Sequence, residues 1–364
     1  MKKAAIIILL FSFRQVAICQ TDAIQVNLMP GFLVGHRELM ANMEAHTFGV
    51  ELNYTHKSAR NHLIDSNYRK LRWGIAFDYF NMGNATVNGE AYAAIINAEA
   101  NIRTRTHSRT AFRVGTGIGY LTRRFDIHSN PKNSAIGSHV NGSMQIMFLH
   151  QVTVSKRFEL NLGLGVTHFS NGNFRKPNLG VNMAHLVLGT TYFINRTEKD
   201  QKQRVRFFPK SGFEIAASIA RKQVSIQDPT NFTIGIGSIT YYRPKSEARN
   251  WRIGGDVFFD RSDPYEQFQR ESAHHIKVAK MTEVGLRAGH EFVFGRVCAV
   301  TDLGCYLYKA TDTKRRFYFS IGLSYSIFKN VVVSNRLKSH LAVADYFQWG
   351  AGYRISDSFL RKSK

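Results

Sequence analysis

The residues best suited to chemistry in this sequence are His168 and Ser170, two positions apart in Gly165-Val166-Thr167-His168-Phe169-Ser170-Asn171-Gly172. In an extended strand, residues i and i+2 project from the same face. Leu160, Leu162, Leu164 and Val166 share that parity, while Glu159, Asn161, Gly163 and Thr167 point the other way. A histidine that takes the proton of a neighbouring serine lets the hydroxyl oxygen attack an ester carbonyl, provided donors hold the oxyanion that forms. A His-x-Ser triplet also arises by chance, and an interfacial histidine beside a loop-capping serine would look the same. The surrounding elements must decide between them.

Those elements read as strands. Trp73, Ile75, Phe77 and Tyr79 alternate with Arg72, Gly74, Ala76 and Asp78. Phe112, Val114, Ile118 and Tyr120 do so against Arg113, Gly115, Gly117 and Gly119, and Trp251, Ile253, Val257 and Phe259 against Arg252, Gly254 and Asp256. Phe317, Phe319, Ile321, Leu323 and Tyr325 repeat the pattern near the end. One face is apolar and the other carries glycine, serine and charge. A soluble sandwich turns the apolar face to its core, whereas a membrane barrel turns it to lipid and lines its lumen with the polar one.

The first residues favour the barrel. Lys2 and Lys3 precede the apolar run from Ala4 to Phe13, and small and polar residues follow around Ala17 to Gln20. This is the pattern of a cleaved secretory signal, expected over residues 1–20. Cys19 raises a lipoprotein reading, which the isoleucine before it disfavours. Beyond the leader no apolar run reaches the roughly 18 residues of a membrane helix. A spanning structure built without such helices must be a closed barrel, because lipid satisfies no open backbone groups. The expectation is therefore an all-β fold: a transmembrane antiparallel β-barrel of roughly 14–16 strands over residues 21–364. Each segment has the ~9–11 residues that a tilted membrane strand requires. Lys156-Arg157, Gly295 and Lys329-Asn330 mark tight turns, and residues 123–142 and 260–280 are long polar loops. Segments 56–70 and 195–210 break the alternation of short and long connections, and the second marks a candidate internal break. With an N-terminus in the periplasm, the strand near 159–170 is the seventh and ends at the outer surface.

Other features carry less. Cys298 and Cys305 would lie ~23 Å apart on one strand, beyond disulfide reach, and read as free thiols. His274-His275 lack a third ligand at useful spacing, so no metal site is expected, and no cofactor motif occurs. The formal charge of +23 falls to +20 without Lys2, Lys3 and Arg14. Such a charge raises nucleic acid as a partner. Export argues for another anion.

The run HFSNG, followed by Pro177-Asn178-Leu179-Gly180-Val181-Asn182, resembles the active-site signature of the outer-membrane lipid A deacylases, the lipid A 3-O-deacylases grouped under acyloxyacyl hydrolases. The close match covers about 18 residues. The closing segment, Leu337-Lys338-Ser339-His340, Ala344-Asp345 and Trp349 to Arg354, is similar to longer, Bacteroidetes-type members. The resemblance implies an outer-membrane serine esterase that removes an ester-linked acyl chain from lipid A. Ser170 would be the nucleophile and His168 the general base, with Asn171, Gly172 and Asn178 as oxyanion candidates. Lipopolysaccharide phosphates then become the natural anion for Arg123-Arg124 and Lys314-Arg315-Arg316, although solvated positive loops would read alike.

Two departures stand out. The short members carry a glutamate where this chain has Asn182, and no Asp or Glu occurs between Glu159 and Glu198. An asparagine carbonyl can orient a histidine, but it stabilises imidazolium less than a carboxylate does. A distant acid such as Asp345 would be the substitute. The second departure is length, since the short members need only about half of this chain. The competing reading is a non-enzymatic barrel, a channel or a structural or adhesive protein, whose polar lumen (Arg72, Asp78, Arg252, Asp256, Arg287, Glu291) would be its working part.

Overall fold

The computed structural model describes residues 20–58, 71–196, 211–267 and 281–356, apart from positions 247, 295, 312–314, 329 and 342. The expected leader, most of segments 56–70 and 195–210, and His274-His275 lie outside these residues. Period two becomes strand throughout. The first eight are β1 (Gln20–Val34), β2 (Ala45–Ser58), β3 (Leu71–Asn81), β4 (Glu90–Thr104), β5 (Ser108–Leu121), β6 (Val140–Thr153), β7 (Phe158–Ser170) and β8 (Val181–Asn195). Eight more follow: β9 (Gly212–Gln223), β10 (Asn231–Ser246), β11 (Arg249–Asp260), β12 (Thr282–Phe294), β13 (Val297–Lys309), β14 (Phe317–Ser326), β15 (Val331–His340) and β16 (Val343–Ser356).

Within β1–β8 and within β9–β16 each strand pairs antiparallel with its sequence neighbours, and one further pairing closes each of the two sheets. β8 returns to β1, from Asn182 opposite Val34 to Asn195 opposite Asp22. β16 returns to β9, from Gln348 opposite Ala220 to Ser356 opposite Gly212. The sixteen strands thus form two closed eight-stranded barrels. The expected β-barrel architecture and strand number hold, whereas a single wide closure does not. The first barrel's last strand, β8, ends at Asn195 and the second barrel's first strand, β9, starts at Gly212.

Facing follows the alternation. On β7, Leu160, Leu162, Leu164 and Val166 are exposed, and Glu159, Asn161 and Thr167 are buried in the lumen. An eight-stranded barrel is only wide enough for its interior side chains to fill it. In the first barrel Arg113 donates to both oxygens of Glu51, at 2.8 and 3.0 Å, and to Gln25. Arg109 bridges Glu99 at 2.9 Å and Glu159 at 3.1 Å. In the second, Arg287 holds Asp256 at 2.9 Å and Asp302 at 2.7 Å, and Arg354 holds Glu214 at 2.8 Å. The polar lumen that a channel would use is occupied by paired charges.

The rim at which β7 ends carries an apolar cap, continuous with the apolar residues inside the barrel. A 3-10 helix, Glu38–Met43, buries Met40 and Met43. They join Leu33, Met82, Val87, Leu121, Ala135 and Ile136 in one cluster, with Leu179 packed against it. Outside the bilayer, each large apolar side chain so buried contributes about 1.5–3 kcal/mol relative to exposure. This cap anchors the loop between β7 and β8. Ile136 bridges Asn178, and Gly180 N–H donates to Ala135 O at 3.2 Å. In the adjoining loop, the backbone N–H groups of Ser129 and His128 hold the Asp126 carboxyl below its ordinary range.

The barrels touch at both rims. At the capped rim, Asn173 donates to the carbonyls of Ala344 and Asp345, and Asn173 O accepts from Gln223 N–H. At the opposite rim Trp73 packs edge-on against Phe294, with ring centroids 5.2 Å apart.

Candidate active site

β7 and β8 bring the two halves of the site together. His168 and Asn182 are direct partners in the antiparallel register, and both face outward. His168 Nδ1 lies 2.6 Å from Asn182 Oδ1. Ser170 ends β7 opposite Gly142 of β6. Although its parity is outward, Ser170 is only 6% exposed, because the following loop folds back over it.

That loop makes a sharp reversal. Gly172 and Asn173 both adopt positive φ, 62° and 63°, a region glycine enters at no steric cost and asparagine tolerates. The reversal aims Gly172 N–H at Ser170 Oγ, 3.3 Å away. Asn178 comes back over the same oxygen, with Nδ2 at 3.1 Å and Oδ1 at 3.2 Å. Two donors therefore converge on the Ser170 hydroxyl oxygen. Asn171 is placed differently. Its N–H donates to Asn178 Oδ1 at 2.9 Å, and its side chain donates to Ser138 Oγ and Arg175 O. Of the three oxyanion candidates, Gly172 and Asn178 face Ser170, and Asn171 buttresses Asn178.

Among the described residues no hydrogen bond joins His168 to Ser170; the serine hydroxyl rests on Asn178. Nucleophile–base contacts are often long without substrate. Asp345 does not serve as the missing acid. It belongs to the second barrel, where its carboxylate accepts from Lys222 Nζ at 2.8 Å. Cys298 and Cys305 are free. No group of three His, Cys, Asp or Glu side chains suited to a metal occurs among the described residues. Arg123, Arg315 and Arg316 are exposed, and Arg124 is partly so.

Three further residues belong to the site. His36, exposed after β1, accepts from Asn182 Nδ2 at 3.0 Å. Lying 146 residues from its partner, it carries no local signal. Gly180, inside the quoted motif, sits against the histidine: a Cβ there would lie 2.5 Å from His168 Cε1, at a φ of 82°. Phe347 of β16 lies against Gly142 and Gly172, the glycines on either side of Ser170. It comes from the other barrel, so only the inter-barrel contact reveals it.

Gly180→Ala should therefore push the imidazole out of place. A displacement near 1 Å costs about 10²-fold in rate. The expected result is a loss of that order in kcat/KM for ester hydrolysis. The variant should still fold to the compact, heat-modifiable species on gel electrophoresis. A full-rate variant would mean that the His168 ring position is irrelevant.

The fold and site define a membrane-barrel protein with a serine and a histidine of outward parity at one rim, and two hydrogen-bond donors on the serine oxygen. Two family profiles match the chain: "Lipid A 3-O-deacylase (PagL)" over residues 47–191 and "Acyloxyacyl hydrolase, C-terminal domain" over residues 211–357. The chain belongs to this lipid A deacylase family, one match falling on each barrel. It is accordingly an ester hydrolase of the outer membrane. No curated protein matches the chain. Among solved structures, Neisserial surface protein A is 11% identical, covering 47% of this chain and 96% of its own, with a TM-score of 0.34. The Acinetobacter baumannii outer membrane protein Omp33 is 8% identical, covering 93% and 99%, with a TM-score of 0.18.

Proposed function

We propose that the protein is a serine esterase that removes the 3-O-linked acyl chain of lipid A from the outer leaflet. The observation that carries this reading is the shared outward parity of His168, Ser170 and Asn182 at a capped barrel rim, with Gly172 N–H and Asn178 Nδ2 aimed at the serine oxygen.

The Ser170 hydroxyl rotates from Asn178 to His168 Nε2 and gives up its proton as Oγ attacks the ester carbonyl. Gly172 N–H and Asn178 Nδ2 stabilise the oxyanion. Each such donor contributes up to about 10²–10³-fold in rate. The tetrahedral intermediate expels the sugar hydroxyl, which takes the proton from His168 and leaves an acyl–serine ester. Water, deprotonated by His168, then cleaves that ester to free fatty acid and regenerate Ser170. Because the machinery faces lipid, the substrate need not leave the bilayer. The ester meets Ser170 at headgroup depth while its acyl chains stay among other chains.

Mass spectrometry of lipid A from Gram-negative cells with and without the protein tests this reading. The expected result is a new species lighter by one 3-O-linked acyl group, with the free fatty acid released. An unchanged lipid A profile with the barrel folded in the outer membrane would sink it.

Phe347 supports a finer expectation. Its ring closes one side of the serine through Gly142 and Gly172. Phe347→Ala should raise kcat/KM for acyl chains branched near the ester by about tenfold relative to linear ones, the low end of what one methylene is worth in an apolar pocket. An unchanged ratio would place the scissile chain on the other side.

A further inference from the structure

The hydrogen bonds behind His168 form a chain whose proton positions can be worked out in sequence. Leu179 O can only accept, and His36 Nε2 lies 3.1 Å from it, so Nε2 carries a hydrogen. A neutral His36 then has its lone pair on Nδ1, 3.0 Å from Asn182 Nδ2, which donates to it. The Asn182 amide is thereby oriented with Oδ1 toward His168. At 2.6 Å from His168 Nδ1, that oxygen can only accept, so Nδ1 carries the hydrogen and Nε2 keeps the lone pair. This is the tautomer a general base needs, because Nδ1 is occupied by Asn182 and only Nε2 is left to receive a serine proton.

We infer that His36 is a positioning residue: it locks the Asn182 amide so that His168 stays in the tautomer able to accept the Ser170 proton. The inference rests on the esterase reading above. Its physical basis is the difference between an amide and a carboxylate. A carboxylate offers His168 only acceptors and imposes the tautomer whichever way it turns. An amide has a donor end, and turned over it would present Nδ2 to His168 Nδ1. The histidine would then carry its hydrogen on Nε2 and could not act as a base. An asparagine at this position thus needs a partner that distinguishes its two ends, and His36 is placed to do so. Leu179, packed against the apolar cap, fixes His36 in turn.

The test combines kinetics with ¹⁵N NMR of histidine-labelled protein in detergent micelles, at a pH where imidazole is neutral. His36→Ala should lower kcat by about tenfold or more with KM unchanged, since a wrong tautomer removes the base and leaves binding intact. The pyrrole-type resonance of His168 should redistribute from Nδ1 toward Nε2. Asn182→Asp in the His36→Ala background should restore kcat and the Nδ1–H tautomer, because a carboxylate has no donor end. Unchanged kcat and tautomer in His36→Ala would overturn the proposal. So would loss of activity that Asn182→Asp does not rescue, which would mark His36 as merely structural. If the wild-type protein releases no fatty acid, the esterase reading fails, and the NMR spectra still decide whether His36 sets the tautomer.

Discussion

Ser170→Ala is expected to leave lipid A fully acylated, with a fall in kcat on the order of 10⁴-fold or more, because no other side chain replaces the attacking oxygen. The Gly172 and Asn178 donors remain in Ser170→Ala, but they can stabilise only the adventitious attack of water. His168→Ala should cost a similar amount, since the serine then has no base to take its proton. The double variant should be little worse than either single one, because residues that act as a unit lose their function together. Lipid A mass spectrometry and fatty-acid release from purified protein check all three. Near-additive losses, with each single variant retaining substantial activity, would mean that serine and histidine do not act as a pair. Folding should be unaffected. Among the described residues the Ser170 side chain hydrogen-bonds only to Gly172 and Asn178 of the loop that covers it, so Ser170→Ala should keep the wild-type gel mobility.

The second large effect concerns stability. Arg113 is fully buried in the first lumen, where it pairs with Glu51. Removing one member of a buried pair leaves an uncompensated charge and costs about 3–5 kcal/mol, whereas replacing both by apolar residues is often neutral. Arg113→Ala should therefore lower the urea midpoint of the barrel in lipid vesicles by that equivalent. Arg113→Met combined with Glu51→Leu should recover most of the loss. If Arg113→Ala unfolds at the wild-type midpoint, water reaches Glu51 and the lumen is wetter than its packing implies. Arg113 lies inside the wall whose outside carries the chemistry, so its loss should reduce activity only through the folded fraction.

Much of this was legible in the residues. Alternation decided facing strand by strand, because a β side chain has only two directions to choose from. It placed Leu160 to Val166 outside and Glu159 to Thr167 inside, and so put His168 and Ser170 on the outer wall. It could not decide closure. Whether β8 pairs onward with β9 or back with β1 depends on a pairing between Asn195 and Asp22, remote in sequence, and period two is the same for either. The site divided along the same line. His168, Ser170, Asn178 and Asn182 sit in one continuous motif, whereas His36 and Phe347 arrive from a distant loop and from another barrel. Asn171 and Asn178 could not be ranked beforehand, since only the folded loop decides which amide turns to the serine. Asp345 was attractive as an acid by residue type, but the closure of the second barrel commits it to Lys222.

The contact between the barrels bears on how a lipid and this enzyme meet. Molecules in a leaflet encounter one another by lateral diffusion, so an active site in a barrel wall has an arc of approach. Phe347 and the strand that carries it take up part of that arc. On the serine esterase reading, lipids would reach Ser170 from the remaining side, travelling along the membrane toward a corner between two cylinders. Such a corner would make productive arrivals rarer, but a lipid that entered it would meet protein on two sides, which would slow its escape and hold its ester beside the serine.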